Sequence, residues 1–234
     1  MHEHQSMVLK FHETFGLTIN SVPTIPSVKD RALRVNLILE ESGELIEATS
    51  QQTAAQVMLA TYAYEEHKSA AEIASANLVS AITAIADACA DMLYVIYGAA
   101  LTYGMTISHT EAMVEAYGFG KKTGGVYARG IPVAQVSRIN RKAMELCRKF
   151  AEATIKEDLT AIEISLTNLI AFTHAVAEAA GIKINPVFTE VQRSNMSKIW
   201  EDGTVKRRPE DGKIMKPPTY SPADIIGVLL KQED

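Results

Sequence analysis

The sequence predicts an all-α protein, a helical bundle carried on a single domain. Three observations predict it. Apolar residues recur at the three-and-four spacing of amphipathic helices through most of the chain, and strand-like alternation is nearly absent. Long alanine-rich runs such as TAIADACADMLYVIYGAAL are interrupted at glycine and proline rather than at turn pairs joining short strands. A chain of 234 residues that is 47% hydrophobic can bury a large core.

The elements follow in order. A short first helix over about 4–15 stops at Gly16, and the connector SVPTIPSVKD follows. Ser27 lies three residues before Asp30, a capping arrangement for a helix over 28–50 that is apolar almost all round. Residues 53–79 read as one or two alanine-rich helices, with Glu65 and Glu66 in solvent. A long apolar helix runs from 81 to 103 and ends at Gly104. GFGKKTGGVYARGIP, residues 118–132, is the clearest linker. It has a phosphate-loop look, but Glu115 stands where the first glycine belongs and no strand precedes it. Lys121 and Lys122 therefore read as solvated. Helices over 134–154 and 158–180 follow, the second ended by Gly181. Pro186 begins another over 186–199, and a turn-rich basic tail closes on a brief helix.

Composition narrows the partners. A formal net charge of −5 carries no basic excess and argues against nucleic acid as a partner. Cys89 and Cys147 sit far apart in apolar helical patterns, as reduced core residues do. The start MHEHQSMVLK lacks the basic-then-apolar pattern of a signal peptide. A cytoplasmic location is expected. Residues 92–109 carry no formal charge and raise the question of a membrane span. The flanking Asp87 and Asp91, and the tyrosine, threonine and glycine within, favour a buried helix and no membrane partner.

Four carboxylates crowd LRVNLILEESGELIEA: Glu40, Glu41, Glu44 and Glu47. Wound at about 100° per residue, Glu40, Glu41 and Glu44 share a stripe with Leu33, Leu37 and Ala48, which should face a core. Like charges there repel and are costly to desolvate, and a hard cation held through carboxylate oxygens would relieve both. The plain alternative is an acidic solvent face. Asp87 and Asp91, four apart, put two more carboxylates on one face of the long apolar helix. Facing acidic helices in a bundle would form an oxygen-lined metal site, suited to attack of water on a phosphate anhydride. A third constellation lies in the tail: Arg193, Ser194, Asn195 and Lys198, then Lys206, Arg207, Arg208, Lys213 and Lys216. Asn195 and Lys198 share a helical face able to bind phosphate oxygens and a base edge. Lys206 to Arg208 read as solvated, and Trp200 as packing or base stacking. The six histidines look isolated or frayed, with no zinc-like spacing.

A weak internal repeat is present. Residues 83–107 align without gaps onto 160–184, and LEESGELIEA onto MELCRKFAEA, placing Lys149 at the position of Glu44 and Asn168 at that of Asp91. Either the second copy kept the fold and lost the carboxylates, or two alanine-rich helix pairs align by chance.

EESGE at 40–44, DACADMLYVIYG at 87–98 and the tail VQRSNMSKIWEDGTVKRRPEDGKIMKPPTYSPADI resemble the all-α nucleoside triphosphate pyrophosphohydrolases. This is the superfamily of MazG-like proteins and phosphoribosyl-ATP pyrophosphohydrolase, and the likeness is closest to its small bacterial and phage MazG-like members. It covers about residues 8–48, 81–107 and 184–229. The resemblance implies Mg2+-dependent hydrolysis of a (d)NTP to (d)NMP and pyrophosphate, with Mn2+ as a substitute, in a homodimer or homotetramer. The family motif EExxE…ExxD falls on Glu40, Glu41, Glu44 and Asp91, which inherit catalytic and metal-binding roles. The Glu of ExxD falls on Ala88, so Asp87 is the candidate replacement. Arg193, Asn195, Lys198 and Lys216 are the candidate nucleotide contacts. The missing carboxylate keeps a second reading open, a nucleotide-binding sensor or sequestering protein without turnover. The implied layout is one all-α domain over 1–234. Within it, 1–117 holds the catalytic helices, 118–132 the linker, 133–183 the degenerate repeat and 184–234 the nucleotide-binding tail.

Overall fold

The computed structural model describes residues 1–62, 68–121, 130–209 and 213–232. Among these residues the chain forms eight helices and no strand. They are α1 (Glu3–Phe15), α2 (Val28–Thr61), α3 (Lys68–Thr102), α4 (Glu111–Glu115), α5 (Val133–Ile155), α6 (Leu159–Ala180), α7 (Ile184–Met196) and α8 (Ile225–Leu230). The expected α-bundle stands. Two boundaries differ: no break separates 28–50 from 53–61, and the helix expected from 81 begins at Lys68. Neither run holds a proline or glycine strong enough to stop it, since Gly43 sits where its missing Cβ faces open space. The expected glutamates 65 and 66, His67 and Lys122 lie outside the described residues.

Local chemistry sets the ends. Ser27 caps α2, its Oγ accepting from the Asp30 N–H at 3.1 Å and donating to Asp30 Oδ2 at 2.8 Å. The connector before α2 straps the C-terminal end of α3. The Asn20 and Thr24 N–H groups donate to Leu101 O and Tyr103 O, each at 3.0 Å, and Asn20 Nδ2 donates to Thr102 O at 2.6 Å. These bonds satisfy carbonyls that the helix leaves without partners of its own.

The core is shared by two helix pairs. α2 packs on α3, α5 on α6, and the pairs pack on each other through α2 with α5 and α3 with α6. Residues 133–180 are thus half of one bundle rather than an appendage. Ile38 and Leu45 of α2, Ile85, Leu93 and Tyr97 of α3, Phe150 of α5 and Phe172 of α6 are almost wholly buried in one cluster. Gln52 is paired inside the bundle: its Nε2 donates to Ile131 O, and the Ile131 N–H donates to Gln52 Oε1, both at 2.8 Å. Helices α3 and α6 are long and apolar enough to cross a membrane, but their most apolar stretches are mostly buried within the protein, as core helices are. Both cysteines are buried free thiols.

Helix α2, apolar almost all round, is buried along one side only. Its buried line runs through Arg34, Ile38, Leu45, Thr49 and Gln52, whereas Val28, Leu33 and Leu39 are exposed. At 100° per residue, Glu41 lies about 50° from the middle of that line, Glu44 about 110° and Glu40 about 150°. Only Glu41 of the three borders the core. Glu40 and Glu44 are exposed on the rim. The stripe drawn through Leu33 and Leu37 tracked a flank of the helix, because apolar residues occupy more of its circumference than the core contact uses.

Candidate functional site

Helices α2 and α3 bring the predicted carboxylates together. Glu41 is pushed up to about 8, first by burial and then by the charges of Asp91, Glu44, Glu40 and Asp87. Asp91 is raised to about 7 by burial and by Asp87 and Glu44, against the pull of Lys198. Glu44 and Asp87 are raised as well, Asp87 by burial and Glu44 by burial together with Glu40, Asp87 and Glu47. Five acids from two helices therefore share one field. Their oxygens are hard donors of the kind Mg2+ takes, and a cation among them would remove both the repulsion and the desolvation cost. As the side chains stand, no three acidic, histidine or cysteine groups among the described residues converge into a finished coordination sphere. The donor set fits a hard divalent ion, with closure of the carboxylates around it still required.

The wall opposite α2 is more complete than the motif suggests. Ala88, where the family Glu falls, is 3% exposed and belongs to the core cluster. Asp87, one residue earlier, is the group whose charge reaches Glu41, Glu44 and Asp91. Asp87, about 100° round the helix from Ala88, lies off the core face and toward α2.

The tail supplies cations selectively. Lys198, just after α7, feels Asp91 and Glu41, and burial pulls its ammonium down against them. Its Nζ donates to Asn195 Oδ1 at 2.6 Å. Lys213 lies near enough to Glu44 to hold it down, and both Lys213 and Lys216 are felt by Lys198. Lys216 is exposed, with its Nζ 4.4 Å above the Tyr220 ring centroid. Arg193 departs from the expectation of a nucleotide contact. Its guanidinium donates to Glu190 at 2.9 and 2.7 Å, to Ser221 Oγ at 2.9 Å and to Pro222 O at 2.8 Å. With its donors aimed at the segment before α8, it clamps the tail to α7.

The basic stretch expected to be solvated is likewise engaged. Arg207 and Ile214 form an antiparallel bridge, the Met215 N–H donates to Lys206 O at 2.9 Å, and Arg207 Nη2 donates to Phe15 O. Lys206 Nζ stands 3.7 Å above the Trp200 ring centroid, so that ring already carries a cation on one face. Lys121 pairs with Glu178 at 3.2 Å and Glu111 at 3.8 Å.

Four of the histidines are not isolated. His2, His4, His109 and His174 come from α1 and its start, the segment before α4, and α6. Ring centroids lie 4.9 Å apart for His2–His4, 5.8 Å for His2–His109 and 4.1 Å for His109–His174. His4 also stacks on Phe188 at 4.0 Å. Sequence spacing could not show this group, because three separate segments contribute to it.

The fold is an all-α bundle with its candidate carboxylates gathered on α2 and α3. Residues 8–116 match the profile of the phosphoribosyl-ATP pyrophosphohydrolase family, a little under half of the chain, and this stretch holds α1 to α4 with every candidate carboxylate. The resemblance read from EESGE and DACADMLYVIYG is borne out over that span. The chain is also 23% identical over 208 residues to an uncharacterized protein of Acanthamoeba polyphaga mimivirus, covering 81% of this chain and 68% of that protein. No solved structure matches the chain significantly.

Proposed function

We propose that this chain is a Mg2+-dependent nucleoside triphosphate pyrophosphohydrolase that cleaves a (d)NTP into (d)NMP and pyrophosphate. The observation that carries the reading is the shared field of Glu40, Glu41, Glu44, Asp87 and Asp91, with Lys198 set against its inner edge. The family match over the same helices supports anhydride hydrolysis of nucleotides. Glu40, Glu41, Glu44, Asp87 and Asp91 would hold the metal. Bound there, Mg2+ supplies charge neutralisation at the phosphate oxygens and lowers the pKa of a water.

The side chains divide the remaining work. Glu41, the glutamate of the three that borders the core, would orient the attacking water and take its proton. Lys198 pulls against the rise of Asp91 and would offer its ammonium to a phosphate oxygen. Asn195 fixes the Lys198 head group through its Oδ1. The segment from Trp200 to Pro222, fastened through Arg207 and Arg193, would carry Lys213 and Lys216 over the phosphates.

Ala88 was the residue favouring a binding protein without turnover, and its place in the core, with Asp87 on the site, weakens that alternative. A panel of nucleoside triphosphates with Mg2+, scored for monophosphate and pyrophosphate, tests the reading. Equimolar release of both products is expected. Tight binding with no product from any nucleotide would establish the sensor instead.

A further inference from the structure

The second helix pair carries a cavity of its own, away from the carboxylates. It has a volume of about 540 Å3, within the range that small-molecule sites occupy. Helix α5 lines it with Arg138, Arg141, Lys142 and Glu145, α6 with Asn168, and α4 and its following turn with an apolar wall that includes Tyr117 and Phe119.

The repeat gives this cavity its meaning. Asn168 occupies the position of Asp91, and Glu145 and Lys149 those of Glu40 and Glu44. The cavity thus touches the α5–α6 pair at positions matching the acidic site on α2–α3. Its charge is reversed: three cations face one carboxylate, in a protein whose formal net charge is −5. That carboxylate is already neutralised, since Glu145 accepts from Lys142 at 2.7 Å and Lys149 at 2.8 Å. Arg138 is spent on Tyr117 O and Gly118 O and sits 5.2 Å over the Phe119 ring. Arg141 has no partner among the described residues, nor has the Asn168 side-chain amide. The Asn168 backbone carbonyl accepts from Tyr117 Oη at 2.9 Å, which ties the aromatic wall to α6.

We infer that this cavity is a second nucleotide site, one that binds phosphate directly through cations and needs no metal. A guanidinium with its fork open is built for phosphate oxygens. An amide with both donor and acceptor suits a base edge, and a paired Tyr–Phe wall suits the base face. Where the acidic pair would recruit a cation to meet the phosphates, the basic pair supplies the positive charge from its own side chains. The site does not depend on turnover at α2–α3, so the two readings can fail separately.

The test is titration calorimetry of the full chain carrying Asp91→Asn, in excess EDTA, with the four common dNTPs, their monophosphates and inorganic pyrophosphate. One nucleotide is expected to bind per chain, weakened at least tenfold by Arg141→Glu and by Asn168→Leu. Arg141→Gln, which removes the charge without reversing it, should show the same loss and stands in if the glutamate variant fails to fold. Three results would overturn the inference: no metal-free binding of any nucleotide; binding indifferent to Arg141 but abolished by Lys198→Met; or pyrophosphate binding as tightly as every nucleotide. Product assays with Mg2+ on the wild-type chain report on the other site alone.

Discussion

Lys198 is pinned between two partners: its Nζ donates to Asn195 Oδ1 at 2.6 Å, and its charge pulls against the rise of the Asp91 carboxyl. Lys198 reaches the inner carboxylates of α2 and α3, Glu41 and Asp91. Lys198→Met should therefore raise the KM for nucleotide at least tenfold and reduce kcat, since one charge serves both ligand and Asp91. Lys198→Arg should recover part of the KM and little of kcat, because its fork cannot keep both contacts from the same stem. Steady-state kinetics on both variants separates these effects.

Glu41 is held where a carboxylate is least comfortable. Glu41→Gln removes the charge that four neighbours oppose, so the metal-free protein should melt several degrees higher while product release falls by at least a hundredfold. Melts in EDTA beside pyrophosphate assays test both halves. A variant that is destabilised and still active would show Glu41 to be a structural residue.

Why the site was partly legible in the sequence follows from these residues. EESGE and the Asp87–Asp91 pair are local signals, and their convergence needs only that α2 packs on α3. Which glutamate faces inward was not legible, because Leu33 and Leu37 made a flank look like a core face, while Arg34 and Gln52 held the true one. Arg193 shows the same limit, since its clamp on Ser221 and Pro222 depends on a chain reversal that no spacing encodes. The bundle itself was readable because helix periodicity is local, whereas the histidine group needed three segments to meet.

Arg193→Ala distinguishes a clamp from a ligand contact. Loss of its bonds to Glu190, Ser221 and Pro222 should free the segment before α8, with faster proteolytic cutting between Trp200 and Asp224. Added nucleotide and Mg2+ should restore protection, and kcat at saturation should change less than threefold. A large loss of kcat at saturation with unchanged proteolysis would instead place Arg193 on the nucleotide.

The histidine group makes stability depend on pH in a stated direction. Burial lowers His4 to about 4 and His174 to about 3, with the neighbouring histidines adding to the effect, against an ordinary value of 6.5. Between those values the unfolded chain binds protons that the folded one refuses, so stability falls as pH falls. The neutral rings' contribution is complete above pH 6.5 and is lost on going down to about 4, at most about 3 kcal/mol for His4. His4→Phe keeps the stack on Phe188 and removes the titrating group. Its melting temperature should drop less than that of the wild type between pH 7 and 4. Parallel curves for the two proteins would exclude His4 as a source of the acid sensitivity.

Two glycines with the same backbone sign should respond very differently to alanine. Gly16 ends α1 at φ 60° with open space around it, so Gly16→Ala should cost only the left-handed penalty, about 1 kcal/mol. Gly104 ends the turn after α3 at φ 70°, and a Cβ there would stand 2.0 Å from Val22 O and 2.5 Å from its carbonyl carbon. The obstacle is backbone, not a side chain that can rotate away. Relieving it means lifting the connector off α3 and breaking the bonds from Asn20 and Thr24 to Leu101 and Tyr103. Gly104→Ala should therefore cost roughly 3 kcal/mol or more. Because that connector leads into α2, the altered start of the helix should also weaken Mg2+-dependent turnover. Denaturant midpoints for the two variants give the comparison, and equal costs would mean that the connector does not lie on Gly104 in solution.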